Sequence, residues 1–328
     1  RLAAGGWSSL CNIGRLVCRP KVLDGGIKLQ RLMRRAGGAL LAVLAVLQLA
    51  ACSPRQMIVG SLADELAAQG QGSESDLELL RDAAPFHLKL SESILRQDSG
   101  HLALAESVAA GFTQYSYAFV AFDAEQIEAR DAKAAERLRQ RAARLYERAH
   151  RHAMRGLETA TPGFARALSS AQEKDWPIIR PEQVGLAYWA AASWGGWISL
   201  SKDDPEVVAD LPLAVRLAQR AWAVDPDWGQ GTLTGLLGTF EAARPGGSQK
   251  QALVYFDRAI EQSGGKSAGA LLAKAEGHAQ PAGDREQFES LLRQALAIKD
   301  EAGSPQALQN EVMRRRAHWL LDKSDDLF

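Results

Sequence analysis

From residue 101 onward apolar positions recur every three or four residues, and proline and glycine interrupt them at intervals. That period is helical. Strict apolar/polar alternation, the mark of a half-buried strand, is missing after residue 60. The pattern predicts an apolar helix over 101–122, ending near Asp123, then a long amphipathic helix over 125–158 that is broken by Pro162-Gly163. Pro177 and Pro181 bracket a loop, and an aromatic-rich helix follows over 182–200. Pro205 opens the next helix, which ends at Asp225-Pro226, because proline has no N–H with which to continue the ladder. Five further helices are expected over 230–243, 248–262, 267–278, 284–300 and 305–323. Between them stand Pro245-Gly246-Gly247, Gly264-Gly265, Pro281-Ala282-Gly283 and Gly303-Ser304-Pro305.

One spacing recurs inside these helices: small, large or small four residues on, small again three residues later. It occurs at Ala142/Tyr146/Ala149, Ala214/Ala218/Ala221 and Ala252/Phe256/Ala259, with a loose copy at Phe288/Leu292/Ala295. Small residues seven apart let two helices approach closely, and the middle side chain fills the space between turns. Tetratricopeptide repeats have a period of about 34 residues and use this device on the second helix of each pair. One pair cannot bury its own apolar face, so pairs must stack. The expected fold is therefore all-α, a degenerate tetratricopeptide-like helical-hairpin solenoid, interrupted near Pro177 and Pro181. An ordinary helical bundle with chance alanine spacing is the alternative.

Charge separates the beginning of the chain from the rest. The formal net charge is zero, which argues against a nucleic-acid partner. Yet residues 1–51 carry six Arg and two Lys against one Asp, so the remainder is acidic by seven charges. Arg34-Arg35, the uncharged run Ala39 to Leu47 and Leu49-Ala50-Ala51-Cys52 form the three regions of a secretory signal, in order. The run is too short for a comfortable membrane span, which needs about 20 apolar residues. Leu-Ala-Ala-Cys resembles the lipobox of bacterial lipoproteins, which implies acylation at Cys52 and membrane attachment through the acyl chains, with Ser53 leaning towards the outer membrane. Met33 is read as the true start. Domains are expected at 1–51 (upstream segment and signal), 52–72 (lipidated anchor and linker) and 73–328 (one helical domain). Cys11 and Cys18 fall in the first of these, so a disulfide framework is excluded.

Three blocks carry a family resemblance. They are Phe86-His-Leu-Lys-Leu-Ser-Glu-Ser-Ile-Leu with Ala110-Gly-Phe-Thr-Gln-Tyr-Ser-Tyr-Ala-Phe-Val120, then Ala187-Tyr-Trp-Ala-Ala-Ala-Ser-Trp-Gly-Gly-Trp197, then Arg316-Ala-His-Trp-Leu-Leu with the closing Asp325-Asp326-Leu327-Phe328. Together they resemble the TRAP-transporter TatT component family over roughly 60–328. The resemblance implies a periplasmic lipoprotein serving a tripartite ATP-independent periplasmic (TRAP) transport system. It also implies a TRAP solute-binding protein as partner, a cleft for it or for a small organic-acid or apolar ligand, and a homotrimer in one branch. No cofactor is implied. Two other readings stand beside it: an outer-membrane lipoprotein scaffold for envelope assembly, and an envelope hydrolase in a helical fold.

Aromatic residues are the candidate site. Tyr115 and Tyr117 alternate on one stretch; Trp176 precedes the loop; Tyr188, Trp189, Trp194 and Trp197 crowd one helix. Tryptophan offers a large apolar surface and one N–H to satisfy, which suits a concave binding wall or an irregular core. Gly195-Gly196 inside that helix costs about 1 kcal/mol per glycine against alanine, which points to close approach by a neighbouring helix or a ligand. Arg180 could grip a carboxylate bidentately, or simply be an exposed loop residue. Glu147 and His150 have the Glu-x-x-His spacing of di-iron bundles, but no second copy exists and His152 points elsewhere, so no metal is expected. Gly265-Lys266-Ser267 looks like the end of a phosphate loop, but Ile260 stands where the first glycine belongs, so a glycine helix cap is the reading. No nucleophile motif appears, and no catalysis is expected. The Arg-rich stretch from Arg130 to Arg155 reads either as a solvated face with i,i+4 pairs or as a dock for an acidic partner.

Overall fold

The computed structural model describes residues 54–69, 76–301, 304 and 306–328. Cys52 and the signal segment lie outside them. Every regular element among the described residues is helical. In chain order these are α1 (Pro54–Gln69), α2 (Leu77–Leu95), α3 (Leu102–Tyr115), a π turn (Ser116–Ala121) and α4 (Phe122–Ile127). Then come α5 (Ala132–Ala160), α6 (Phe164–Leu168), α7 (Val184–Ser199), α8 (Pro205–Ala209), α9 (Leu211–Val224), α10 (Thr232–Ala243) and α11 (Gln249–Gln262). The last are α12 (Ala268–Lys274), a second π turn (Ala275–Ala279), α13 (Arg285–Ala297), α14 (Ala307–Asp322) and α15 (Ser324–Leu327).

Consecutive helices pair and stack. α5 packs between α3 and α7, α9 lies on α7, α10 pairs with α11, and α12, α13 and α14 close the array. Every residue of the recurring small/large/small spacing is buried: the Ala142, Ala214, Ala252 and Phe288 sets are all at or below 5 % exposure. The solenoid-like stack of hairpins is thus built on the spacing that predicted it. The main core joins α1 to α3 and α5 to α10, with Leu104, Leu157, Leu186 and Leu217 fully enclosed. A second core joins α12, α13 and α14 around Phe288, Leu292 and Ala317.

Helix starts follow the polar punctuation. Asp131, Asp204, Ser248, Ser267 and Asp284 each accept a backbone N–H of the first turn of the helix that follows. Gly264 and Gly265 both take positive φ and close α11 ahead of the Ser267 cap. Boundaries differ from expectation at more than one place. The chain does not break near Asp123 but stays helical to Ile127, and α5 begins only at Ala132. Asp123 is held on its helix by Arg81, 2.5 Å away, and Ala124 is buried, so neither residue acts as a stop. Likewise the helix opened by Pro205 is two helices, with Asp210 between them and Pro212 in the first turn of α9. The stretch before residue 70 contributes a helix to the main core through Ala63 and Leu66.

Candidate functional site

A π turn holds one residue more than an α turn, is rare, and is frequent at functional sites. The described residues contain two, and both turn towards one guanidinium. The first carries Tyr117; the second carries Glu276; α14 lays Arg316 between them. Arg316 Nη2 donates to Glu276 Oε1 at 2.7 Å, and Nε donates to both Glu276 oxygens at 3.2 Å. Nη1 donates to Glu125 Oε2 at 3.0 Å and Oε1 at 3.2 Å. Rings surround the cation: its Cζ lies 5.7 Å from the Tyr117 and Phe122 centroids and 5.9 Å from that of Trp319. The Tyr117 hydroxyl donates weakly to Met313 Sδ at 3.7 Å, and Phe122 meets Trp319 edge-on at 5.5 Å. The last long helix is thereby fastened to the helices that precede α5, across 191 residues of sequence between Glu125 and Arg316.

The Arg316 side chain is 12 % exposed, while Glu125 and Glu276 are 36 % and 29 % exposed, so the cation sits beneath two carboxylates that reach water. Burial disfavours its charge, but the carboxylates of Glu276 and Glu125 more than offset that and hold it protonated. Glu125 is pushed above the usual carboxylate range, first by burial and then by Glu276, against the pull of Arg316. Burial also pushes up the phenols of Tyr117 and Tyr146. Tyr146 comes from α5 and stands against Gly196 of α7, where a Cβ would fall 2.7 Å from its ring; at Gly195 a Cβ would fall 2.6 Å from Phe240. The two glycines therefore admit neighbouring helices. The centre is a buried cation paired with two carboxylates and ringed by aromatic side chains. No side chain within it is arranged as an activated nucleophile.

The expected site residues are spread over four places. Tyr117 belongs to the Arg316 centre. Tyr115, two residues earlier, packs on the core, 5.5 Å from Phe119. On α7, Trp194 is buried 4.3 Å from His150, Trp197 is 6.2 Å from that imidazole, and Tyr188 stacks between Trp189 (4.8 Å) and Trp228 (4.5 Å). Trp176 lies outside this group: Arg216 sits 4.1 Å above its ring and its N–H donates to Ser170 O at 2.9 Å. Arg180 is exposed but tied to its own loop and the end of α5, donating to Glu182 at 2.7 Å, Thr161 at 3.3 Å and Ala160 O at 3.4 Å. His150 bonds Ala190 O at 3.1 Å, whereas His152 bonds Glu92 at 2.8 Å, so the two histidines serve different faces. Two solvent-open recesses, of about 390 and 520 Å³, lie beside Lys266 and Lys299 and beside Pro162 and Arg166; none of the expected aromatic residues lines either.

The model of the TRAP transporter T-component family matches residues 73–328. This chain belongs to that family. It is an accessory component of a TRAP transport system, and the family is one of transport accessory proteins rather than enzymes. A protein of Treponema pallidum (strain Nichols), described as an uncharacterized protein, is 26 % identical over 302 residues, covering 85 % of this chain and 94 % of that one. No helix of the described residues is long and apolar enough to cross a membrane.

In this T-component, sequence reasoning missed Glu125, Tyr146, Glu276 and Arg316 as a unit. Arg316 stood in a quoted block and Tyr146 in the recurring spacing, but nothing in a linear pattern ties either to Glu125 or Glu276. The available signal was weak: a glutamate three residues after an apolar helix face, and Glu276 beside Gly277 in a helix otherwise capped cleanly. The π turns that bring them together have no reliable sequence mark.

Proposed function

We propose that the chain is a lipid-anchored T-component, held to the periplasmic face of the envelope, more specifically the outer membrane, by acyl chains on Cys52. On this reading its helical array receives the TRAP solute-binding protein, or the small organic-acid or apolar solute that it delivers, at the Arg316 centre. Tyr117 forms the near wall, Tyr115 packs on the core instead, and the Tyr188, Trp189, Trp194 and Trp197 helix backs the centre through Gly196 and Tyr146. Trp176 and Arg180 stiffen the loop where the repeat is interrupted. The observation that carries the reading is the convergence of both π turns on one buried guanidinium in a chain of this family. Rigid helices keep such a constellation in place better than loops.

The test has two arms. Membrane fractionation of cells carrying Cys52→Ala should find the protein released from the envelope. Affinity purification of the wild type should bring down a TRAP solute-binding protein, and Glu276→Gln or Arg316→Lys should weaken that recovery while circular dichroism stays unchanged. Unaltered attachment in the first arm, or unaltered recovery in the second, refutes the corresponding half.

A further inference from the structure

The outer side of α5 carries a line of arginines. Successive residues of a helix turn by about 100°, and Arg137, Arg141, Arg144, Arg148, Arg151 and Arg155 follow at steps of four, three, four, three and four. All six therefore project within one narrow stripe, about 27 Å long. Lys133 extends it in the same register, and Arg130 lies in the turn just before the helix. The opposite side of α5 is buried through Ala135, Ala142, Tyr146, Ala149, Ala153 and Leu157, which fixes the stripe outward.

A solvated charged helix neutralises itself with i,i+4 acid–base pairs. This one does not. Arg151 pairs with Glu147 at 3.3 Å, and Arg148 turns away to Glu92 on α2. Among the described residues Arg130, Lys133, Arg137, Arg141, Arg144 and Arg155 have no ion-pair partner, and all are exposed. The other acids of the helix are occupied: Glu136 with Gln140 and Arg139, Glu158 with the N–H groups of Gly163 and Ala165. Such a row of unneutralised cations stands on a chain whose residues from Cys52 on are acidic by seven charges.

We infer that this stripe is the docking surface for an acidic face of a protein partner. Charge complementarity selects an anionic occupant, and two features favour protein over lipid. A helix that lies on a bilayer offers it an apolar face beside the basic one; here the apolar face is in the core, and no large exposed hydrophobic residue occurs between 132 and 160. The cations are nearly all arginine, whose planar fork matches carboxylates bidentately, whereas a membrane surface is served equally well by lysine. The identity of the partner as the solute-binding protein rests on the functional reading above; the chemistry of the stripe does not.

The acylated protein in phosphatidylethanolamine nanodiscs is titrated with a fluorescent Glu/Asp-rich peptide and, separately, with that TRAP solute-binding protein. Both should bind, and weaken as salt rises from about 50 to about 200 mM. Arg137→Glu/Arg141→Glu/Arg144→Glu should lower both affinities at least about tenfold, against about twofold or less for a charge-matched Lys202→Glu/Lys250→Glu/Lys299→Glu control. Phenylglyoxal footprinting should show Arg137, Arg141, Arg144 and Arg155 protected by either ligand. Equal losses in the two triples overturn the inference. So does protection that comes from adding phosphatidylglycerol to the disc and not from the peptide, which assigns the stripe to lipid. If the peptide binds the stripe and the solute-binding protein binds nothing, the functional reading fails and the inference stands. If that protein binds the arginine triple as tightly as wild type, the reverse holds.

Discussion

Replacing Arg316 by methionine removes the charge that ties α14 to the helices before α5, while retaining most of the stem that packs on Tyr117, Phe122 and Trp319. Breaking a buried ion pair from one side costs about 3–5 kcal/mol when the remaining charge stays buried. Here the orphaned carboxylates are about a third exposed and can turn to water, so the loss should fall to about 2–3 kcal/mol. Glu125→Gln leaves Arg316 its closer partner, Glu276 at 2.7 Å, and should cost about 1 kcal/mol. The double variant should then lose less than the two singles together, by about 1 kcal/mol, because both act on one contact. Urea unfolding of the four proteins gives the cycle, and hydrogen exchange locates it: residues 307–322 should lose protection in Arg316→Met while α5 keeps its own. An Arg316→Met protein that unfolds within about 0.5 kcal/mol of wild type, with α14 unchanged in exchange, would refute the claim that this centre fastens the array.

Three further perturbations probe other parts of the same argument. Gly196→Ala places a methyl 2.7 Å from the Tyr146 ring and should destabilise by about 1–2 kcal/mol despite alanine's better helix propensity; a stabilised variant, by thermal melting, would contradict the close approach. Burial pushes His150 down from 6.5 to about 4, against the opposing bond to Ala190 O, so the folded protein refuses a proton that the unfolded chain accepts. Stability from this residue is complete above about pH 6.5 and declines as pH falls, by about 2 kcal/mol at about pH 5; His150→Phe should flatten that part of the curve, and an identical slope in urea midpoints would count against it. Glu92 is 6 % exposed and its burial alone would raise its pKa, but Arg148, Lys89 and His152 hold it well below the carboxylate range. Glu92→Gln should therefore cost about 3 kcal/mol near neutral pH, with the difference from wild type closing only as pH falls below the ordinary carboxylate value, whereas removing the exposed Lys89 should cost under about 1 kcal/mol.

What was legible in the sequence was whatever depends on local period and punctuation. The alanines at 142, 149, 214, 221, 252 and 259 sit at full burial because their spacing is itself the packing instruction, and the Pro/Gly signals at 245–247, 264–265 and 281–283 fall between helices as expected. Gly195-Gly196 signalled a close approach correctly, and Tyr146 and Phe240 supply it. What was hidden depends on non-local geometry. The Glu125–Arg316 contact spans 191 residues, and its members look like ordinary surface charges in any window. The boundary missed near Asp123 has the same origin, since Arg81, 42 residues earlier, holds that aspartate on a continuing helix. The Arg-rich helix was recognised in sequence, but whether its charges were matched could be decided only by finding where each glutamate points.

These observations give α5 two tasks that its geometry joins. Its inner side sets Tyr146 against α7 and beside the Arg316 centre; its outer side carries the unmatched arginines. A helix of 29 residues wedged between α3 and α7 has no means of yielding on one side alone, because close-packed interiors transmit displacement rather than absorb it. Arg139, on the same helix, pairs with Glu128 and also acts on Glu125, so the outer rim of the centre already reads charge carried by α5. A partner seated along the stripe therefore rests on the element that positions one wall of the site. If docking and solute capture are parts of one transfer, the Tyr146→Phe variant should retain binding of the solute-binding protein while changing solute exchange. Losing both together would mean that the two sides of α5 act as a single surface.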